Sequence, residues 1–322
     1  MVLTITLNPV LERKLFFEKI NYGLGNRSKN ERLNAGGKGI NISRQLNLLG
    51  IDNLALSFAG GNNGKIFRSL IANEKINNVL SNTKSETRYS INIIEEENKN
   101  VTIYFSPNAE VSSNECDMFF EKYEKILPNA SIVVFAGSCP SNVCEKFIPL
   151  AIEKANSLDK IVVVDTYGNH LSDTIESSPM VFHANISETE KSLNMNLSSE
   201  EEKIDFLKFL YNKGIKLAFL TDGSKEFFAS KFDFIYKIIP PSVNEYDSTG
   251  SGDSFLSGII YGLEKALVFD EFVKIAVSLG AANAEQEETC RVSLDNFKKY
   301  VDQVQIIPIG KKMKLIDDSP QK

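Results

Sequence analysis

Histidine is scarce in this chain: 322 residues contain only His170 and His183. A zinc centre built on imidazole ligands is therefore excluded as a reading. Cysteine is scarce too, and Cys116, Cys139, Cys144 and Cys290 form neither a CxxC pair nor a metal-ligand spacing. The opening MVLTITL is apolar but short, has no basic segment before it and runs into Asn8-Pro9. It reads as a buried strand rather than a signal peptide, so free thiols in a reducing cytoplasm are expected. No run of about 18 apolar residues is present, which argues against a membrane-spanning helix. Positive charge is not in excess, since 36 Lys and Arg face 42 Asp and Glu for a net charge of −6. That balance argues against nucleic acid as a partner, because a polyanion rewards an excess of Lys and Arg. Any catalysis must lean on carboxylates, lysines, arginines and backbone amides.

What the chain does have is alternation. β-rich runs at Val2–Leu7, Leu54–Phe58, Ile132–Ala136, Ile161–Asp165, Leu217–Leu220 and Phe234–Ile239 are separated by helical patterns. Ile42, Leu46 and Leu49 fall at helical spacing before Gly50, and Ile204, Leu207, Leu210 and Tyr211 do so before Gly214. Strands as apolar as IVVVD suit a parallel sheet buried on both faces. The pattern predicts an α/β fold, a doubly wound, mostly parallel sheet flanked by helices. Residues 11–33 and 87–106 break the rhythm. Ser90–Ile94 alternates, then a charged turn leads to Val101–Phe105, which reads as a hairpin. These two pieces are expected to form a small β lid over a large domain of residues 1–10, 34–86 and 107–322. The tail Lys311–Lys322 reads as loosely ordered.

Three glycine-rich stretches compete as anion sites. Gly60-Gly61-Asn62-Asn63-Gly64-Lys65 fails as a P-loop, because Ala59 stands at the first glycine and Ile66 replaces the magnesium-binding hydroxyl. It is expected to be a strand-to-helix turn. DSTGSGDSF, residues 247–255, fails the dinucleotide fingerprint at Phe255. Its glycines nonetheless let amides converge at the start of a helix, where an anion is favoured. Asp253 at the mouth of that site is either a helix cap or a base that accepts a proton from an attacking hydroxyl. Alone, the stretch leaves both open. In Asn34-Ala35-Gly36-Gly37-Lys38-Gly39-Ile40-Asn41 a glycine run again opens a helix, now with a lysine that could neutralise a phosphate.

Together these motifs resemble the PfkB, or ribokinase-like, carbohydrate kinase family, and within it the phosphosugar branch of 1-phosphofructokinases, tagatose-6-phosphate kinases and PfkB-type 6-phosphofructokinases. TLNPVLE (6–12) is similar to the branch's opening and NAGGKGINISRQLNLLG (34–50) to its AGGKGINVSR segment. AGSCP (136–140), NISE (185–188) and DSTGSGDSF follow in the family's order. The resemblance implies an ATP- and Mg2+-dependent kinase acting on a ketose phosphate, with fructose 1-phosphate to fructose 1,6-bisphosphate the first expectation. Tagatose 6-phosphate and fructose 6-phosphate are the alternatives, and a non-catalytic sensor of sugar phosphates is a more distant one. It implies Asp253 as catalytic base, with the amides of Gly250, Ser251 and Gly252 as anion hole. It assigns Glu12, Arg27, Gly36, Gly37, Lys38, Asn41, Arg88 and Ser138 to the substrate, with Arg27, Lys38 and Arg88 near its phosphate. His183, Asn185, Thr221, Gly223, Ala281 and Asn283 fall to the nucleotide, and Asn185 and Glu188 to the metal, through water. A homodimer through the lid is the implied assembly, in the cytoplasm.

Four positions depart from the family pattern. Glu12 stands for the usual Asp, His183-Ala184-Asn185 for Lys-Pro-Asn, Ile103 for a lid Lys or Arg, and Ser251 for alanine.

Overall fold

The computed structural model describes residues 1–310, so the tail expected to be loosely ordered lies outside the described residues. Its strands are β1 (Val2–Thr6), β2 (Val10–Phe17), β3 (Asn30–Gly36), β4 (Asn53–Gly60), β5 (Asn78–Thr83), β6 (Arg88–Glu95) and β7 (Asn100–Phe105). They continue as β8 (Ile132–Gly137), β9 (Ile161–Thr166), β10 (Val181–Asn185), β11 (Leu217–Thr221), β12 (Phe227–Lys231), β13 (Phe234–Ile239) and β14 (Gln305–Ile309).

Ten strands make one sheet in the order β14-β13-β12-β11-β10-β9-β8-β1-β4-β5. From β5 to β11 every neighbour is parallel, and β12 to β14 add an antiparallel edge. The alternation of side chains decides why the middle is parallel. In β8, Val133 and Phe135 enter one apolar layer while Ile132, Val134 and Ala136 enter the other. In β9, Val162 and Val164 face the first layer and Val163 the second. A strand apolar on both faces has no solvent side to offer, and each fully buried valine stabilises the fold by roughly 1.5–3 kcal/mol.

The helices that cover these faces follow their sequence signals. Ile42, Leu46 and Leu49 are buried in the second layer, on or just after the helix Lys38–Leu48. The helix Glu200–Asn212 opens on a capping box between Ser199 and Glu202 and buries Phe206, Leu207 and Leu210.

A second sheet of four strands, ordered β3-β2-β6-β7, is made from the two pieces that broke the rhythm. Each piece folds back on itself, β2 against β3 and β6 against β7. The parallel pair β2–β6, from Val10↔Arg88 to Phe17↔Glu95, stitches them together.

One expectation fails. Cys116 and Cys144 are joined as a disulfide, leaving Cys139 and Cys290 as the free thiols. The pairing was invisible at 28 residues of sequence separation. It arises because the helix Ser113–Ile126 packs beside the short 3-10 turn Asn142–Cys144. Among the described residues no helix is long and apolar enough to cross a membrane.

Candidate active site

The ends of β1, β8, β9, β10 and β11 place Thr6, Asn8, Ser138, Tyr167, His183, Asn185, Thr221 and Gly223 around a cleft of about 850 Å³. The carboxyl edge of a parallel sheet is where α/β folds bind ligands. The small sheet contributes Val10, Glu12, Arg88, Ile103 and Phe105 to the same cleft.

Two helices begin at the cleft with no side chain capping them. The helix Ser251–Glu264 starts from Gly250 in the left-handed region, φ 80°, and a Cβ there would run into Thr289. The helix Lys38–Leu48 starts from Gly37. Open first-turn amides and aligned peptide dipoles favour an anion at each. Asp253 does not cap its own helix. Its Oδ2 instead accepts a hydrogen bond of 2.8 Å from Asn41 Nδ2, and Asn41 Oδ1 accepts from Arg44 Nη1 at 2.7 Å. Burial pushes the Asp253 carboxyl up to about 7, with Asp165 and Glu12 adding to the shift and Lys38 and Asn41 opposing it. A buried carboxylate with a single neutral donor and a value near neutrality is suited to taking a proton.

Asn283, expected beside the nucleotide, lies behind the 249–254 loop instead, buried. Its Nδ2 donates to the Thr249 carbonyl at 2.9 Å and to Ser251 Oγ at 3.2 Å, and its Oδ1 accepts from the Cys290 amide at 2.7 Å. It braces the 249–254 loop, whereas Ala281, two residues earlier in the same helix, does line the cleft.

A carboxylate that sequence reasoning missed organises the opposite wall. Asp165 ends the apolar run of β9, and its Oδ1 accepts from Lys38 Nζ at 3.0 Å and lies 3.4 Å from His183 Nδ1. Burial alone would raise its pKa, but Lys38 and His183 outweigh burial and hold it below the usual carboxylate range. Lys38 also reaches Glu188 Oε2 at 3.2 Å, and these two acids raise its pKa against the effect of burial, so it stays charged. Lys38 thus sits among the acids. His183 Nε2 meets Thr221 Oγ1 at 3.2 Å, and its ring lies 5.2 Å from that of Phe255. Asn185 caps the helix Ile186–Leu193 through Ser187. An Asp closing an apolar strand at the carboxyl edge was the signal that could have found Asp165.

The end nearest the small sheet carries charged and polar side chains. Glu12 is buried, and burial raises its pKa despite Lys14, Arg44 and Arg88 nearby. Gly36 lies against it so closely that a Cβ would land on the Glu12 carboxylate. Arg88 lies 5.3 Å over the Phe105 ring and donates to the Asn8 carbonyl at 3.1 Å, while its buried Nε makes no hydrogen bond among the described residues. Ser138 Oγ accepts from Asn8 Nδ2 at 3.0 Å. Arg27 is not brought here: it is exposed in the β2–β3 connection, outside the residues that line the cleft. The stretch that failed as a P-loop is a strand-to-helix turn, and Glu86 fills its anion position by accepting from the amides of Asn62 and Asn63 at 2.9 Å each.

Comparisons with known proteins bear on the fold and the family. Tagatose-6-phosphate kinase of Staphylococcus epidermidis is 28% identical over 313 residues, covering 96% of this chain and 100% of that protein. A possible 1-phosphofructokinase from Thermotoga maritima superposes with a TM-score of 0.88 at 25% identity, covering 96% of this chain and 99% of the other. Phosphofructokinase-2 from Escherichia coli, in complex with substrates and products, shares the fold with a TM-score of 0.85 at 24% identity, over 94% and 98% of the two chains. The pfkB family carbohydrate kinase model matches residues 6–296, and the chain belongs to that family.

Proposed function

We propose that this protein is an ATP-dependent phosphosugar kinase that transfers the γ-phosphoryl group to a hydroxyl of a ketose phosphate, fructose 1-phosphate first. The observation that carries the reading is Asp253 at the mouth of an uncapped helix, held by Asn41 and pushed up to about 7. Asp253 takes the proton of the substrate hydroxyl as its oxygen bonds to phosphorus and the bond to ADP breaks. The open amides of the Gly250–Asp253 turn meet the charge on the transferring phosphoryl, in keeping with a reaction that depends on positioning and electrostatics.

Magnesium fits the opposite wall. Glu188 and Asn185 line the cleft and offer it oxygens, and Lys38 links Glu188 to the buried Asp165, whose Oδ2 makes no hydrogen bond among the described residues. Among the described residues no three His, Cys, Asp or Glu side chains are grouped to hold a metal unaided, so water and phosphate oxygens would complete the shell. When bound, the ion neutralises phosphate charge.

Arg88, a guanidinium lining the cleft, favours a substrate that already carries a phosphate. A second reading, tagatose 6-phosphate as substrate, rests on the relative from Staphylococcus epidermidis. The exposed Tyr89, Tyr104 and Phe105 of the small sheet suit a homodimer through that sheet. An ADP-release assay over fructose 1-phosphate, tagatose 6-phosphate, fructose 6-phosphate, ribose and adenosine tests substrate choice. Fructose 1-phosphate is expected to give the highest kcat/KM. Fastest turnover of an unphosphorylated sugar would overturn the reading.

A further inference from the structure

Lys14 lies at the centre of β2, in register with Arg32 and Asn92, yet its side chain is only 1% exposed. It leaves the small sheet and reaches beneath the anion-hole loop of the large one. There Nζ donates to Asp247 Oδ2 at 3.0 Å, to the Glu287 carbonyl at 2.9 Å and to Thr289 Oγ1 at 3.3 Å. One carboxylate, one carbonyl and one hydroxyl converge on a single positive charge. Oxygen shells of this kind also hold dissolved monovalent cations, with carbonyls replacing hydration water.

The shell is wired to the loop. Asp247 Oδ1 accepts from the Thr249 amide at 2.9 Å, and the Thr249 carbonyl accepts from Asn283 at 2.9 Å. Thr289 packs against Gly250 where a Cβ would stand. Two of the three oxygens that Lys14 holds, those of Asp247 and Thr289, therefore belong to residues bonded to or packed against the turn that presents the open amides.

We propose that Lys14 is a tethered cation: its ammonium occupies an oxygen cage that would otherwise call for a dissolved monovalent ion, and so positions the anion-hole turn. It is a positioning residue, since it lies outside the residues that line the cleft. A merely structural ion pair would also be buried, but its loss would not be made good by a dissolved small cation. The kinetic part rests on the kinase reading, and the melting part does not.

The wild-type protein is compared with Lys14→Met in potassium, methylammonium and tetramethylammonium chloride at equal ionic strength. Wild-type kcat and Tm are expected to be the same in all three. In tetramethylammonium, Lys14→Met should lose kcat by about 10- to 100-fold, with KM for both substrates less affected. Potassium or methylammonium should restore much of that loss and raise the variant's Tm. Three results would each overturn the assignment: several-fold potassium activation of the wild type, full activity of the variant without a small cation, or a folded variant whose Tm ignores potassium. If Lys14→Met does not fold, Lys14→Gln replaces it with the same expectations. If no substrate turns over, the Tm comparison still decides the cation assignment while the kinase reading fails separately.

Discussion

Asn41 donates to Asp253 across 2.8 Å, and that hydrogen bond ties together the first turns of two helices that both open on the cleft. The two residues lie 212 positions apart. Their contact fixes where the carboxylate points, while burial sets the pH at which it can act.

Asp253→Asn should fold and lose kcat by about 10²-fold or more, the usual contribution of a general base. In the wild type, kcat should rise about tenfold per pH unit up to about 7 and then level off, as Asp253 deprotonates. Stability runs the other way. The folded carboxyl titrates near 7 and the unfolded one near 3.8, so between them the folded state holds the extra proton and stability falls as pH rises. Asp253→Asn should therefore melt higher than wild type at pH 8 in a thermal-shift scan, despite its lost activity.

Arg88→Met should raise KM for the sugar phosphate by about 10- to 100-fold with a smaller change in kcat. The estimate follows from a hydrogen bond to a charged group being worth roughly 1.5–3 kcal/mol. Steady-state kinetics with saturating ATP separates the two effects. An unchanged KM would remove Arg88 from the substrate's phosphate.

Gly36→Ala should cost about 1–3 kcal/mol, as overpacked sites do, because its Cβ would meet the Glu12 carboxylate. Glu12→Ala in the same chain should recover most of that stability but not activity. Denaturant titration of the two single variants and the pair measures the coupling.

Thiol counting under denaturing, non-reducing conditions should find two reactive groups, Cys139 and Cys290, and four after reduction. Cys116→Ser should lower stability by about 3.5 kcal/mol, the loop-closure value for a bridge of this span.

The parallel sheet was legible because its central strands are apolar on both faces, and the small sheet because its segments alternate where the rest does not. Short β10 and β12 escaped notice, since the polar residues of VFHAN and FFASK blur a five-residue pattern. Within the candidate site, motifs led to Asp253, Asn41 and Glu188, whose neighbours in sequence are glycines or helix signals. Asp165 and Lys14 carry no such local mark. Each is an ordinary charge in a strand until the chain closes and removes it from water. Asn283 was placed one layer out, because helical spacing from Ala281 does not tell which side chain faces the cleft and which faces the loop.

Glu86 has a bearing on how ligands are routed. The sheet's carboxyl edge carries glycine-led helix starts at Gly37, Gly60 and Gly250. At the second, the chain supplies its own carboxylate, which the Asn62 and Asn63 amides hold below the usual carboxylate range. An anion arriving at this edge therefore finds open helix-start amides at two of the three rather than at all of them. The remaining one is closed to it without any residue that lines the cleft taking part.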